Sequence, residues 1–432
     1  MKEPLRIGMI GCGTVGTGVL ELLHRRAGEF AGLLGRDLRV VRIVVRDLSR
    51  SRPQIAEFAS PPPELSDTPA NVTGADDVDL VVEVAGGVDA PRDWIVDALR
   101  NGHDVVTANK ATLAFHGREI FGTAQETGRH VFYEASVAAA IPIIESLESA
   151  LVANQIGQIH AILNGTCNYI LTQMEREQKD YADALREAQE KGFAEADPAL
   201  DVGGDDTAHK LALLGSLITR SFVDADSVYT DGITAITRDD IAFGEQMGYR
   251  IKLLAIARRG ADDAWEFRVH PTMISRSEVI AEVSDEFNAV HVQGDAVGPM
   301  LLYGKGAGSL PTASSVVADI VRAAKGDSRF ALSPDLREIK RIEIDEIELR
   351  HYVRMTVLDR PGVLGRITSV LGECGISIAS IHQPEAKTDH PVPVVLVTHE
   401  TKEEVIAQSL EELHRAGLLT EPATRIRIEE FA

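Results

Sequence analysis

The sequence predicts an α/β chain built from several domains. Three observations carry this. The first stretch alternates short apolar runs with amphipathic helical ones, which implies βαβ units and a doubly wound sheet. The last stretch carries a single β-α-β-β-α-β pattern, the ferredoxin-like plan. Between them strands and helices mix without regular order, an α+β arrangement. At 432 residues the chain has room for about two to four domains.

The elements follow in order. Residues 5–10 read as a strand, 15–24 as an amphipathic helix and 38–45 as a second strand. Ser60-Pro61-Pro62-Pro63 is a loop. Residues 79–84 are almost continuously apolar, as in a strand buried on both faces of a parallel sheet. A helix over 94–100, a strand over 104–107, a helix over 120–127 and a strand over 130–134 complete this part. Residues 181–191 form a helix stopped by Gly192, a C-cap signal. Residues 195–204 are a polar, proline-containing loop, and Gly304-Lys305-Gly306-Ala307-Gly308 precedes a helix over 312–324. From residue 350, strands at 352–358, 376–383, 392–398 and 424–428 alternate with helices at 363–374 and 402–416. The expected domains are 1–137 with a return helix at 311–326, then 138–310, a charged linker at 327–349, and 350–432.

Hydrophobic residues make up 44% and charged residues 25% of the chain, an ordinary globular composition. The formal net charge of −22 argues against nucleic acid or an anionic membrane surface as a partner. Cys12, Cys167 and Cys374 lie too far apart in sequence to suggest a disulfide framework or a cysteine-rich zinc site. A reducing, cytoplasmic setting fits them. The N-terminus enters a strand with no apolar signal segment, and no apolar run is long enough to span a bilayer.

Gly11-Cys12-Gly13-Thr14-Val15-Gly16 is a G-x-G-x-x-G between a strand and a helix, the context a dinucleotide needs. Gly11 allows the tight turn, Gly13 lets the backbone approach a pyrophosphate, and Gly16 lets helix and strand pack closely. This is the Rossmann arrangement. The second strand ends at Arg46-Asp47, where an acid would read a ribose hydroxyl and an arginine a 2′-phosphate. Arg46 favours NADP, with NAD also usable; the plainer reading is an arginine capping a strand in solvent.

Asp206 and Lys210 stand one turn apart on a helix over 206–218. On a wheel of roughly 100° per residue they share a stripe with Leu213, Leu214 and Leu217. Lys and Asp are almost never fully buried unless paired. Such a pair is either an i,i+4 salt bridge or a proton donor held in place, and the helix alone does not decide between them.

The motifs around this helix resemble those of the homoserine dehydrogenases. Leu163-Asn164-Gly165-Thr166-Cys167-Asn168-Tyr169-Ile170-Leu171 is similar to that family's LNGTTNYIL signature. Gly192-Phe193-Ala194-Glu195-Ala196-Asp197-Pro198, then Asp201-Val202 and Asp206-Thr207-Ala208-His209-Lys210, resemble its longer acidic signature. Thr107-Ala108-Asn109-Lys110 and Tyr133-Glu134-Ala135-Ser136-Val137 match it too. The resemblance implies NAD(P)-dependent interconversion of aspartate 4-semialdehyde and homoserine, in threonine and methionine biosynthesis. It implies Lys210 as proton donor and Lys110 as a second catalytic lysine beside the nicotinamide. Glu195 and Asp206 would bind substrate, with Asp201 a weaker candidate, and Gly192 and Gly306 would approach the cofactor. A sodium ion would be held at Glu134, Val137, Ala139 and Ile141, largely through carbonyl oxygens, which suit a hard cation. Residues 138–310 would then be a catalytic and dimerisation domain. The chemistry is consistent with this, because hydride delivery to a carbonyl leaves negative charge on oxygen that an acid must meet. Carboxylates suit a substrate with an α-ammonium.

Three positions depart from the family pattern: Cys167 replaces a threonine, Gly203-Gly204-Asp205 replaces an acid-Gly-apolar run, and Ala138-Ala139-Ala140 replaces a glycine-richer one. Asp359-Arg360-Pro361-Gly362-Val363-Leu364 and Gly375-Ile376-Ser377-Ile378 resemble the ACT domain. That module implies an amino-acid effector, threonine in this family, at a helix N-terminus, or else a dimerisation module without ligand. Either implies a homo-oligomer, dimer or tetramer. The residues leave two rivals: a dehydrogenase of another amino-acid semialdehyde, and a non-catalytic sensor of nucleotide and amino acid.

Overall fold

The computed structural model describes residues 2–326, 339–384 and 391–431. The first half of the expected linker, 327–338, lies outside the described residues. The chain divides into two compact units: Met1–Gly165, Thr207–Val228 and Phe287–Ile339 form one, and Thr166–Asp206, Tyr229–Glu286 and Lys340–Ala432 the other.

The first unit holds the doubly wound sheet. Its six parallel strands lie in the spatial order Glu64–Ser66, Leu38–Val44, Leu5–Ile10, Leu80–Glu83, Asp104–Thr107, Val131–Phe132. All four residues of Leu80–Glu83 are buried, which is why that strand carries no alternation. The helix Thr14–Arg25 buries Val19, Leu20 and Leu23 on one face. It packs against the helix Ser309–Lys325, which returns from the far end of the unit. Val316, Val317 and Ile320 of the returning helix share a core with Ile7, Met9 and Val82. The unit also contains an antiparallel set, with Phe287–Gly294 between Ile156–Ile162 and Gly298–Lys305.

Several boundaries differ from the sequence reading. The helices Ala27–Leu34 and Pro53–Phe58 were not foreseen. The helix read over 120–127 extends from Lys110 to Thr127, because Asn109 caps it by accepting from Thr112 N. Lys110 therefore opens a helix. The strand read over 130–134 stops at Phe132, and Glu134–Ser136 turns as a 3-10 helix.

The second unit is built on the antiparallel pair Tyr249–Arg259 and Trp265–Ser275. Trp265–Ser275 pairs in parallel with Thr424–Glu429, the last strand of the β-α-β-β-α-β module. The module's sheet continues through Glu348–Leu358 and Pro391–Thr398 to Ile378–His382. Its helices Val363–Glu373 and Glu403–Arg415 supply Ile367, Leu371, Ile406 and Leu413 to a core with Val353, Met355 and Leu396. One edge of the module is thus taken up within the chain. Buried Asp240 fastens the module further: it closes a capping box with Thr237 and accepts hydrogen bonds from Tyr352 Oη (3.0 Å) and Arg354 Nε (2.7 Å).

The loop read over 195–204 contains a short helix, Ala199–Val202. The helix read over 206–218 spans Asp205–Thr219.

The glycine turn that closes the strand Leu5–Ile10 tests how tightly the first unit is specified. Gly11 has φ +103°, and a Cβ there would sit 2.7 Å from Val84 O. A Cβ on Gly16 would sit 2.6 Å from Gly11 O, whereas one on Gly13 would meet nothing within 4 Å. Gly11→Ala and Gly16→Ala should each destabilise the unit by roughly 1–3 kcal/mol through overpacking against backbone. Gly13→Ala should leave the thermal unfolding midpoint unchanged. Equal midpoints for all three variants would contradict this packing.

Candidate active site

A cleft of about 920 Å³ opens beside the glycine turn. It lies where the strand order reverses, between Leu5–Ile10 and Leu80–Glu83, at the carboxyl ends of the strands. Gly11, Cys12 and Gly13 line it on one side and Val84, Gly86 and Gly87 on the other. Thr14, Val15 and Gly16 form the first turn of the helix that follows the glycine turn, an end whose N–H groups suit an anion. Burial raises the Cys12 thiol pKa, so it stands as a neutral lining group. Gly306 is half-buried, with the Asn288 side chain where its Cβ would be. Ser309 Oγ, just after this glycine-rich run, donates to Thr14 O at 2.7 Å and so brings the run beside the glycine turn.

Arg46 is exposed at the mouth of the cleft, where Arg50 and Arg52 also line the wall. Asp47 turns into its own loop. Its carboxylate accepts from Ser49 N (2.8 Å) and Ser49 Oγ (2.6 Å), which hold it below the usual carboxylate range. Arg52 Nη1 donates to the carbonyls of Asp47 and Arg50. The sequence reading named Arg46 alone, although the arginines at 46, 50 and 52 were visible as a spaced basic run.

Lys110, half-buried, stands at the start of its helix by virtue of a buried hydrogen-bond chain. Glu83, fully buried, accepts from Thr107 Oγ1 at 2.7 Å and from Ala85 N at 2.8 Å, while burial raises its carboxyl pKa. Asn109 Nδ2 donates to Gly87 O at 3.0 Å, and Thr112 Oγ1 to the carbonyls of Gly87 and Val88. The residues on both sides of Lys110 are thereby tied to the loop that lines the cleft. Glu83 was legible only as a carboxylate inside an apolar strand.

Lys210 is 8% exposed, and its Nζ donates to Leu163 O at 2.6 Å. Leu163 follows the strand Ile156–Ile162 and precedes Asn164, itself buried. Asp206, one turn earlier, is also 8% exposed. The stripe drawn from the sequence needs correction: Leu217 is only half-buried, and Thr207, Ala208, Leu211, Ala212 and Ser216 are buried as well. The helix is enclosed on most of its circumference. His209 meets Phe115 edge-on with ring centroids 4.9 Å apart, so the helices that carry Lys110 and Lys210 are in contact.

In the second unit, Glu195 and Gly192 are exposed, Gly192 with φ +77°. Thr166 Oγ1 donates to Phe193 O at 2.6 Å and to Asp201 Oδ2 at 3.2 Å. Cys167 Sγ donates to Asp201 O at 3.1 Å. The signature helix Gly165–Arg176 therefore clamps the acidic loop at both ends, and Asp201 belongs to the clamp.

The 134–141 turn is built from backbone. Glu134 caps the following helix, accepting from Ile144 N (2.9 Å) and Glu145 N (2.7 Å). Burial raises its carboxyl pKa to about 7, and that of neighbouring Asp319, which accepts from Glu134 N, to about 7. Ala139 adopts φ +44°, and its carbonyl accepts from Ser315 Oγ; Ile141 O accepts from Ile143 N at 2.8 Å. Val137 lies buried between them. The carbonyls of Ala139 and Ile141 each already accept one hydrogen bond within the protein. Among the described residues no group of three or more His, Cys, Asp or Glu side chains is placed to hold a metal.

Residues 11–134 match the family model for the homoserine dehydrogenase NAD-binding domain, 142–321 the homoserine dehydrogenase model and 351–417 the ACT domain model. The chain is 42% identical over 440 residues to a homoserine dehydrogenase from Pseudomonas aeruginosa, covering 99% of this chain and 100% of that one. The solved homoserine dehydrogenase of Thiobacillus denitrificans superposes with a TM-score of 0.93 at 40% identity, over 99% of this chain and 98% of that one. A hyperthermophilic archaeal homoserine dehydrogenase mutant, solved with NADPH, has a TM-score of 0.64 at 25% identity, over 76% of this chain and 99% of that one. A glycine-turn cleft for a nicotinamide dinucleotide, the lysines at 110 and 210 and the C-terminal module are carried on a chain that belongs to the homoserine dehydrogenase family, NAD(P)-dependent oxidoreductases that act on a CH–OH group.

Proposed function

We propose that Lys210 is the proton donor when aspartate 4-semialdehyde is reduced to homoserine. The observation that carries this is the ammonium group, 8% exposed, aimed by Leu163 O at 2.6 Å. An ammonium carries three N–H donors, and the contact with Leu163 O fixes the direction in which this one is presented. When bound, the reduced nicotinamide supplies the hydride. Lys210 Nζ gives its proton to the carbonyl oxygen as the C–H bond forms, and takes it back in the reverse direction. Lys110 acts as the second catalytic lysine, its position fixed through Asn109, Thr107 and Glu83. Glu195 and Asp206 bind the substrate's α-ammonium, with Asp201 in a weaker, supporting place.

NADP is the favoured cofactor. Arg46, Arg50 and Arg52 surround the cleft mouth, and arginine matches a phosphate in charge and geometry. Asp47, the acid that would read a free ribose hydroxyl, is engaged by Ser49. The NADPH complex of the archaeal relative supports the same reading. A sodium ion sits on the carbonyls of Glu134, Val137, Ala139 and Ile141 in this account. The ACT domain binds an amino acid, threonine by family resemblance, and feeds back on activity. The protein works as a homo-oligomer in the cytoplasm; no described helix is long and apolar enough to cross a membrane.

Lys210→Met should lower kcat by about 10²–10⁴-fold, the usual worth of a positioned general acid, while NADPH binding by fluorescence titration stays within about twofold. Unchanged turnover would refute the role. Arg50→Ala should raise the KM for NADPH by about tenfold, the loss of one charge-assisted hydrogen bond, and leave the KM for NADH unaltered. A parallel rise in both would show that these arginines do not read the 2′-phosphate.

A further inference from the structure

The last strand of the C-terminal module places a buried cation against a strap at residues 229–232. Arg427, on Thr424–Glu429, is 2% exposed. Its Nη2 donates to Tyr229 Oη at 2.8 Å, its guanidinium carbon lies 4.8 Å from the Tyr229 ring centroid, and its Nη1 stands 3.7 Å from Asp231 Oδ2. Glu403, also 2% exposed, anchors the cation from the other side through a hydrogen bond to Nη2, and takes a second ion pair from Arg425 at 2.6 Å. Tyr229 and Thr230 pair in parallel with Arg268 and Val269, and Asp231 N donates to Val269 O at 2.8 Å.

The 229–232 strap bears directly on the residues that open the Asp206 helix. Ile233 N donates to Val202 O at 2.9 Å. Gly232 comes so near that a Cβ on it would lie 2.9 Å from Gly203 Cα and overlap Val202 O. Gly204, with φ +95°, has room for no Cβ either: one would sit 2.9 Å from Thr230 Cγ2. Asp205 and Asp206 follow at once, as the first turn of the helix. No slack remains between strap and helix start, since close backbone contacts transmit displacement and do not absorb it.

We propose that Arg427 is a positioning residue for the reaction: by holding Tyr229 and Asp231 it fixes the strap that sets Val202-Gly203-Gly204, and hence the orientation of the Asp206 carboxylate. This rests on the reading of Asp206 as a substrate-binding acid. It also gives the C-terminal module a physical connection to that acid within a single compact unit.

The test compares KM for homoserine, KM for NADP and kcat in the full chain for Tyr229→Phe, Arg427→Lys and Arg427→Gln, each with and without Asp206→Asn. Homoserine KM should rise about 3–10-fold in Tyr229→Phe and Arg427→Gln, and less in Arg427→Lys, which keeps the charge. The KM for NADP should stay within about twofold. Adding Asp206→Asn to either should raise homoserine KM no further than Asp206→Asn does alone. A purely structural Arg427 would lower the unfolding midpoint with homoserine KM unchanged, and Tyr229→Phe, nearly isosteric, keeps the readout if Arg427→Gln does not fold. Unchanged homoserine KM in these variants, or full additivity with Asp206→Asn, would overturn the proposal. If Asp206→Asn alone left homoserine KM unchanged, the substrate reading of Asp206 would fail and this inference with it. Impaired Asp206→Asn beside normal Tyr229 and Arg427 variants would sink the coupling alone.

Discussion

A lysine ammonium taken out of water must be met by an acceptor or give up its charge. In this protein Leu163 O meets Lys210 Nζ at 2.6 Å, and much of the first unit is arranged so that it can. The strand Ile156–Ile162 delivers Leu163, and the buried turn at Asn164 leads into the signature helix. The helix Asp205–Thr219 is enclosed on most of its circumference, so it has little freedom to rotate Lys210 elsewhere. His209 and Phe115 then fix that helix against the one that starts at Lys110. Asn109, Thr107 and Glu83 tie the start of the Lys110 helix to the cofactor cleft. One main-chain acceptor thus holds Lys210, and a separate buried chain holds the start of the Lys110 helix against the cleft wall.

The acids follow a different logic. Thr166 and Cys167 hold the acidic loop by its carbonyls and by Asp201, while Glu195 is left at the surface of its unit. The threonine-to-cysteine departure at 167 is accommodated because a thiol can still donate to Asp201 O. The run just before Asp206 is instead packed through glycines, which leave no room for a Cβ between residues 202–204 and the 229–232 strap.

Much of this was legible in the sequence. The G-x-G-x-x-G turn, the strands at 5–10, 38–44, 80–83 and 104–107 and the ferredoxin-like module follow from periodicity and turn chemistry, which are local signals, whereas the short elements Ala27–Leu34, Pro53–Phe58, Glu64–Ser66 and Ala70–Thr73 were missed. The returning helix, read over 312–324 and found at Ser309–Lys325, was legible for the same reason. What escaped was long-range. Leu163 O carries no side-chain signature, so nothing marked it as the partner of Lys210. The wheel around Lys210 treated one stripe as buried when nearly the whole helix is, because a wheel cannot see what packs on the other faces. Glu83 hid inside an apolar strand, and the role of Asn109 as a helix cap lengthened a helix that propensity alone would have begun near residue 120. Arg427 looked like one charge among many in a terminal strand, since its partners Tyr229 and Glu403 are distant in sequence.

The account stands on an ammonium at position 210 that hands its proton to substrate oxygen. Chemical rescue tests this most directly: Lys210→Ala assayed with aspartate 4-semialdehyde and NADPH across a series of small primary amines of differing basicity. The account predicts that turnover returns in proportion to the protonated amine, with a Brønsted dependence on its pKa. Turnover restored equally by non-titrating molecules of the same size, or unaffected by any amine while NADPH still binds, would contradict it.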